Sequence, residues 1–349
     1  MDENLENKNI QNKSNNNINY PNLIFSSILV ENSHSEYCTD NSFIIIDSID
    51  KILYLIYSTR SKSIISFDLV NNKQINEIKN AHKEFISMFV SYSDNNNKRD
   101  LIMSISPKNR NIKLWNIKNW ECLYNFIDLY KDGYLRTSCF LKYNYNLYIV
   151  TSHFSPETHE SIKIFDFKGN LIKEIEDSKA NTYFIDIYFD EKISKLFIIT
   201  SNENYCRSYD FNKNHPYKKY SDNIISENKI YHLSFVINKK DGIVQLIESS
   251  YDGNIRVWNF HSGILLKKIK LNNSFLDGIC LWDNELLFVG SSDKNVILIE
   301  LISGKIIEKY SGHDSSVITV KKISHPKLGK CLLSQGYENA NIIIWKDKK

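Results

Sequence analysis

One short phrase recurs seven times along the chain: a run of β-branched or polar residues, then a large apolar residue, usually aromatic, then in most copies an acid or an amide. It appears as SIISFD (Phe67-Asp68), NIKLWN (Trp115-Asn116), SIKIFD (Phe165-Asp166), YCRSYD (Tyr209-Asp210), NIRVWN (Trp258-Asn259), NVILIE (Ile299-Glu300) and NIIIWK (Trp345-Lys346). Successive copies lie 41 to 50 residues apart. That period matches propeller blades and excludes the shorter helical repeats of about 33 or 34 residues. The segments around each copy are short, β-branched and aromatic, bounded by polar turns, as in Lys51–Ser58, Asn146–Ser152, Lys195–Thr200 and Glu285–Gly290. Each unit supplies four strands, so the expected fold is all-β: a seven-bladed β-propeller of four-stranded antiparallel blades.

Three of the copies resemble the WD40-repeat β-propeller family: YDGNIRVWN, SSDKNVILIE, and SGHDSSVITVKKISHP leading to NIIIWK. Asp252 and Asp293 stand six residues before the aromatic position, where that family places its tight-turn aspartate, and Gly312-His313 matches its Gly-His dipeptide. The resemblance covers roughly residues 22 to 349, but the repeats are degenerate. The Gly-His dipeptide occurs once, with Ala81-His82 a weaker version, and tryptophan fills the aromatic position in three units of seven. The resemblance implies a structural hydrogen-bond network in the last unit, formed by His313, Ser334, Asn339 and Trp345. It also implies that the other blades are held mainly by apolar packing.

The seventh phrase ends three residues before the last one, which leaves that unit without a fourth strand. Leu23–Val30 (LIFSSILV) precedes the first unit's inner strand and has no blade of its own. It is expected to complete the last blade as its outer strand, so that no long sheet edge stays open. The domains expected are a disordered Asn-rich tail over 1–20, too polar to offset its ordering entropy, and a propeller over 21–349.

Function is less legible. Aligning the starts of the innermost strands gives a column of Phe43, Phe85, Tyr134, Tyr183, Tyr231 and Phe275, with Ser316 in the seventh unit. Rings at a channel mouth are rigid interface anchors. The alternative is that they lie between blades and replace missing hydrogen bonds. The segment Ser152–Ser161, with His153, Glu157, His159 and Glu160, reads as a solvated loop, and no metal site is expected. Ser91–Asp100 reads as a disordered hairpin loop on the opposite face.

Other classes are poorly supported. With 44 basic and 41 acidic residues the formal net charge is only +3, and Lys108, Arg110, Lys113 and Arg136 are dispersed, so nucleic acid is not an expected partner. No adjacent arginines exist, which argues against the lipid-binding branch of the family. No apolar run is long enough to span a membrane, and no secretory signal opens the chain. The six scattered cysteines read as reduced thiols in a cytoplasmic or nuclear protein. There is no GxSxG elbow, phosphate-cradling loop or HExxH, so no catalysis and no cofactor are expected. The expected function is a non-catalytic scaffold, monomeric in isolation, that binds a protein or peptide partner on the narrow top face. The alternative is a structural or substrate-receptor subunit of a larger ubiquitin-ligase or trafficking complex.

Overall fold

The computed structural model describes residues 20–30, 43–59, 61–130, 133–154, 161–175, 182–202, 205–213, 215–222, 232–271, 274–337 and 341–348. Every regular element in these segments is a β-strand. The strands form seven four-stranded antiparallel sheets. Six of them are consecutive in sequence: blade 1 spans 43–78, blade 2 88–126, blade 3 134–175, blade 4 182–220, blade 5 232–270 and blade 6 276–311. Blade 7 takes three strands from 317–347 and its outermost strand from Leu23–Val30, paired antiparallel with Ile342–Asp347. The expected N-terminal tail lies, apart from Tyr20, outside the described residues.

The repeated large apolar residue marks a mechanical feature. In six blades the pairing between third and outer strands slips immediately before it, at Phe67, Trp115, Phe165, Tyr209, Trp258 and Ile299. In blade 7 the same slip occurs opposite Trp345, where Phe25 pairs with Trp345 and Ser27 with Ile344. A bulge of this kind bends the outer strand and increases the local twist. Leu23–Val30 therefore reproduces the geometry of the other outer strands although it comes from the far end of the sequence.

The core is divided into wedges between blades. Ile56, Phe89 and Trp115 pack between blades 1 and 2; Met103, Leu135 and Ile149 between 2 and 3; Val150, Ile185 and Tyr209 between 3 and 4. Phe197, Phe235 and Trp258 fill the wedge between blades 4 and 5, and Ile247, Leu276 and Ile297 that between 5 and 6. Phe288, Val317 and Trp345 join blades 6 and 7, and Leu55, Leu69, Leu333 and Ile344 join blade 7 to blade 1. That seventh wedge closes the ring. The second strand of blade 6 comes up against the start of blade 7's inner strand at Gly290, where a Cβ would meet Val317 O at 2.5 Å. Only glycine fits that approach.

Around the closing strand, Lys348 N donates to Asn22 O at 2.8 Å and Tyr310 Oη to Pro21 O at 3.1 Å, and Leu23 is buried in the wedge between blades 6 and 7. Removing residues 1–19 touches none of these contacts and is expected to leave the thermal midpoint unchanged. Removing 1–30 strips the edge of Ile342–Asp347 and is expected to lower the midpoint and promote aggregation. Scanning calorimetry of the two truncations checks this; equal midpoints would contradict it.

Candidate functional site

The top of the ring, where the inner strands begin, is held by polar networks at the blade ends. In blade 7, Trp345 Nε1 donates to Ser334 Oγ at 2.6 Å, and the same oxygen lies 2.6 Å from His313 Nε2. Asn339 lies outside the described residues. Blade 2 repeats the arrangement: Trp115 Nε1 donates to Ser104 Oγ at 2.8 Å, which lies 2.7 Å from His82 Nε2. The weak Ala81-His82 match thus marks a second complete His–Ser–Trp network. The expectation that blades outside the last are held mainly by apolar packing is corrected for blades 2, 3 and 5. In blade 3, Tyr130 Oη bonds both Thr151 O at 2.9 Å and Thr151 Oγ1 at 2.7 Å.

Blade 5 uses buried charge. Arg256 and Glu248 are both fully buried; the guanidinium donates from Nη1 to Ser250 Oγ at 2.9 Å, from Nε to Asp222 at 3.1 Å, and from Nη2 to Asp252. Burial pushes the Asp252 carboxyl up, but the bonds from Arg256 and Ser250 outweigh it and hold the group at about 2. Asp252 Oδ1 also accepts the Asn254 amide, as a tight-turn aspartate does. Arg256 belongs to a column of basic residues two positions before the aromatic: Lys113, Lys163, Arg207 and Arg256. Lys113 Nζ donates to Ala81 O at 2.6 Å, Lys163 Nζ lies 4.4 Å from the Tyr130 ring centroid, and the Arg207 guanidinium 4.6 Å from that of Tyr205. This column is visible in the repeated phrase itself, at the position two before the aromatic. Lys113, Arg110 (3.3 Å from Asp128) and Arg136 are anchored, not simply solvated.

The aromatic column is only partly one ring. Strand register puts Phe85, Tyr134, Phe275 and Ser316 at equivalent positions, each directly followed by a buried core residue, Ile86, Leu135, Leu276 or Val317. Tyr134 and Phe275 are 48% and 51% exposed, whereas Phe85 is half-buried. Tyr231 lies outside the described residues. Phe43 pairs with Tyr57, four positions further down its strand than the column. Tyr183 sits in an inner-strand bulge between Thr182 and Phe184, half-buried under the Arg136 guanidinium 4.9 Å away. Inner-strand bulges shift side chains without leaving a mark in the spacing.

Two further exposed aromatics join the top face from the ends of the second strands: Tyr251 at 37% and Tyr337 at 41%. The Tyr251 and Phe275 rings meet edge-on at 4.5 Å. Phe275 and Ser292 exchange hydrogen bonds at 3.0 Å, Ser316 Oγ reaches Ser292 O at 3.5 Å, and Tyr337 N donates to Ser316 O at 2.8 Å. Tyr251 and Phe275 therefore form one ring pair, and hydrogen bonds through Ser292 and Ser316 link it to the Tyr337 backbone in blade 7. In blade 7 the aromatic has moved from the column, where Ser316 stands, to its cross-strand neighbour.

Two loop readings are corrected. Ser152 and His153 are buried at the end of a strand, and the His153 ring stacks on Tyr130 at 4.8 Å, because the strand Asn146–Phe154 continues past the expected turn. Residues 155–160 lie outside the described residues. Ser91–Asp100 is mostly strand, Met88–Asp94 pairing with Arg99–Ser106 around a turn whose Asp94 accepts from Asn97 Nδ2 at 2.7 Å. Among the described residues no cluster of three or more His, Cys, Asp and Glu side chains is placed to hold a metal ion. Among the described residues no helix is long and apolar enough to cross a membrane.

Over 187 residues, 53% of this chain, the sequence is 25% identical to Autophagy-related protein 16 of Arabidopsis thaliana. The chain spans about a third of that protein's length. No protein-family model matches the chain.

Burial pulls the basicity of His82 down to about 3 and of His313 to about 4, from an ordinary 6.5. Between pH 6.5 and 4 the unfolded chain thus binds more protons than the folded one, so stability falls as the pH drops through that window. The thermal midpoint is expected to decline from pH 7 to 4.5. Replacing both histidines by asparagine should lower the midpoint at pH 7 and flatten its pH dependence; an unchanged slope would contradict the buried neutral histidines. Ser334→Ala strands the indole N–H and is expected to cost about 1–3 kcal/mol in denaturant melts.

Proposed function

We propose that the chain is a non-catalytic, WD40-type interaction scaffold that docks a protein or peptide on the narrow top face. The observation that supports this is the set of solvent-facing rings, Tyr134, Tyr251, Phe275 and Tyr337, at the end of the ring where the inner strands begin. A large aromatic left in water stabilises the free protein little, whereas covered by a partner it supplies rigid area at small entropic cost. The polar networks beneath it fix the strand ends, so the rings are presented on a pre-organised surface. Phe85 and Tyr183, half-buried, act in this reading as supports at the rim.

A second reading, a stable subunit of a larger assembly of the trafficking type, draws support from the similarity to a protein whose name ties it to autophagy. Gel filtration of native extract separates the two: a peak at the monomer size favours transient docking, and one at the size of a large assembly favours the subunit.

The direct test is affinity purification with the wild-type chain and with the quadruple alanine variant of Tyr134, Tyr251, Phe275 and Tyr337. The variant is expected to keep its thermal midpoint within a few degrees, since exposed side chains contribute little to folding. Its specific co-purifying proteins should be lost or strongly depleted. Recovery of the same proteins at the same level would remove the top face from the account.

A further inference from the structure

A tyrosine on the wide face stands where the fold asks for glycine. In blade 5 the inner and second strands are joined by Asp241-Gly242, with φ of 50° and 76°, between the paired residues Lys240 and Ile243. In blade 3 the equivalent turn is Asn144-Tyr145, with φ of 46° and 64°, between Tyr143 and Asn146. Two-residue hairpin turns with both φ values positive take Gly at the second position. A β-carbon in the left-handed region costs roughly 1–2 kcal/mol. Tyr145 is 96% exposed, so its ring buries almost nothing that would offset this cost. Folding gains nothing from the side chain; strain carried at an exposed aromatic points to a ligand.

Beside it, between blades 2 and 3, lies a groove of about 480 Å³, within the range of ligand-binding clefts. Its apolar wall includes Tyr92, Tyr124, Tyr148, Phe167 and Ile172. The rings are in mutual contact, Tyr124 to Phe167 at 5.7 Å, Phe167 to Phe140 at 6.4 Å and Phe140 to Tyr92 at 5.7 Å, so the floor is rigid.

The charges are arranged asymmetrically. Asp94 accepts from Asn97 and from Arg99 Nε at 3.2 Å, and Asp166 accepts from the Lys168 and Asn170 amides at 2.8 and 2.9 Å and from Asn170 Nδ2. Both carboxylates are thus consumed by their own turns. Lys142 and Lys168 also line the groove; the Lys168 charge helps hold the Asp166 carboxyl low, but among the described residues neither amino group is within salt-bridge distance of an acid. What the groove offers a visitor is aromatic surface and positive charge.

We propose that this wide-face groove is a second docking site, separate from the narrow-face patch, for an acidic peptide segment whose apolar side chain packs against Tyr145 while its carboxylates pair with Lys142 and Lys168. The test is selection of a random dodecapeptide phage library on the immobilised full chain, followed by fluorescence anisotropy with the most enriched peptide made synthetically. The expected peptide carries Asp or Glu on either side of a large apolar residue. Tyr145→Gly should weaken it about tenfold or more, as loss of a hot-spot anchor does, while leaving the thermal midpoint the same or higher, because glycine relieves the turn. Lys142→Glu with Lys168→Glu should abolish binding, and the quadruple top-face variant should bind as wild type does. Three results would overturn the proposal: no enrichment over the starting library, enriched peptides indifferent to Tyr145→Gly or to the lysine reversals, or peptides lost only with the top-face variant. The last would leave the narrow-face reading standing and remove this one.

Discussion

The antiparallel pairing of Leu23–Val30 with Ile342–Asp347 is the constraint on which the rest of the structure depends. Seven separate sheets have no common core; each buries its faces only against its two neighbours, in the wedges between blades. Such an arrangement is stable when the ring is complete, since an open ring would expose the faces of its two terminal blades. Drawing the last blade's outer strand from the opposite end of the sequence ties those two blades together. It also covers the edge that Ile342–Asp347 would otherwise present.

Architecture was legible in the sequence because it is carried by repetition. The phrase ending at Phe67, Trp115 and their successors encodes a third strand and the residue opposite an outer-strand bulge, and both features recur in every blade. The site was less legible because its determinants do not repeat. An inner-strand bulge moves Tyr183 out of the column, and blade 1 begins its described pairing at Phe43, four positions late. In blade 7 the exposed ring is Tyr337, across the ladder from Ser316. Such exchanges conserve surface chemistry while scrambling the alignment. His82 is a weak match in sequence because alanine stands in the glycine position before it, although its partner Ser104 and the Trp115 indole complete the same hydrogen bonds.

The degenerate repeats show how one mechanical task is met by different chemistries. Blades 2 and 7 pin the serine of the second strand between a neutral, buried imidazole and an indole. Blade 3 substitutes a tyrosine hydroxyl on a threonine, and blade 5 a fully buried arginine among carboxylates. Removing one member of a buried charge set is costlier than removing a neutral hydrogen bond. Blade 5 is thus the least tolerant of substitution at the top of the ring, next to the exposed Tyr251 and Phe275. In the proposed reading, docking falls to exposed side chains whose loss the ring can survive.

Closure is tested most directly by a cysteine pair across the seam. Ile24 lies opposite Lys346 in the ladder, and Cys331 faces Lys346 from the other side, so Ile24→Cys with Lys346→Cys, in a background where Cys122 is replaced by serine and Cys331 by alanine, should form an intramolecular disulfide under mild oxidation. The crosslinked monomer should melt higher than its reduced form. Ile24→Cys with Lys270→Cys, at the outer edge of blade 5, should not crosslink. Efficient bonding to blade 5, or none to Lys346→Cys, would contradict the closed ring.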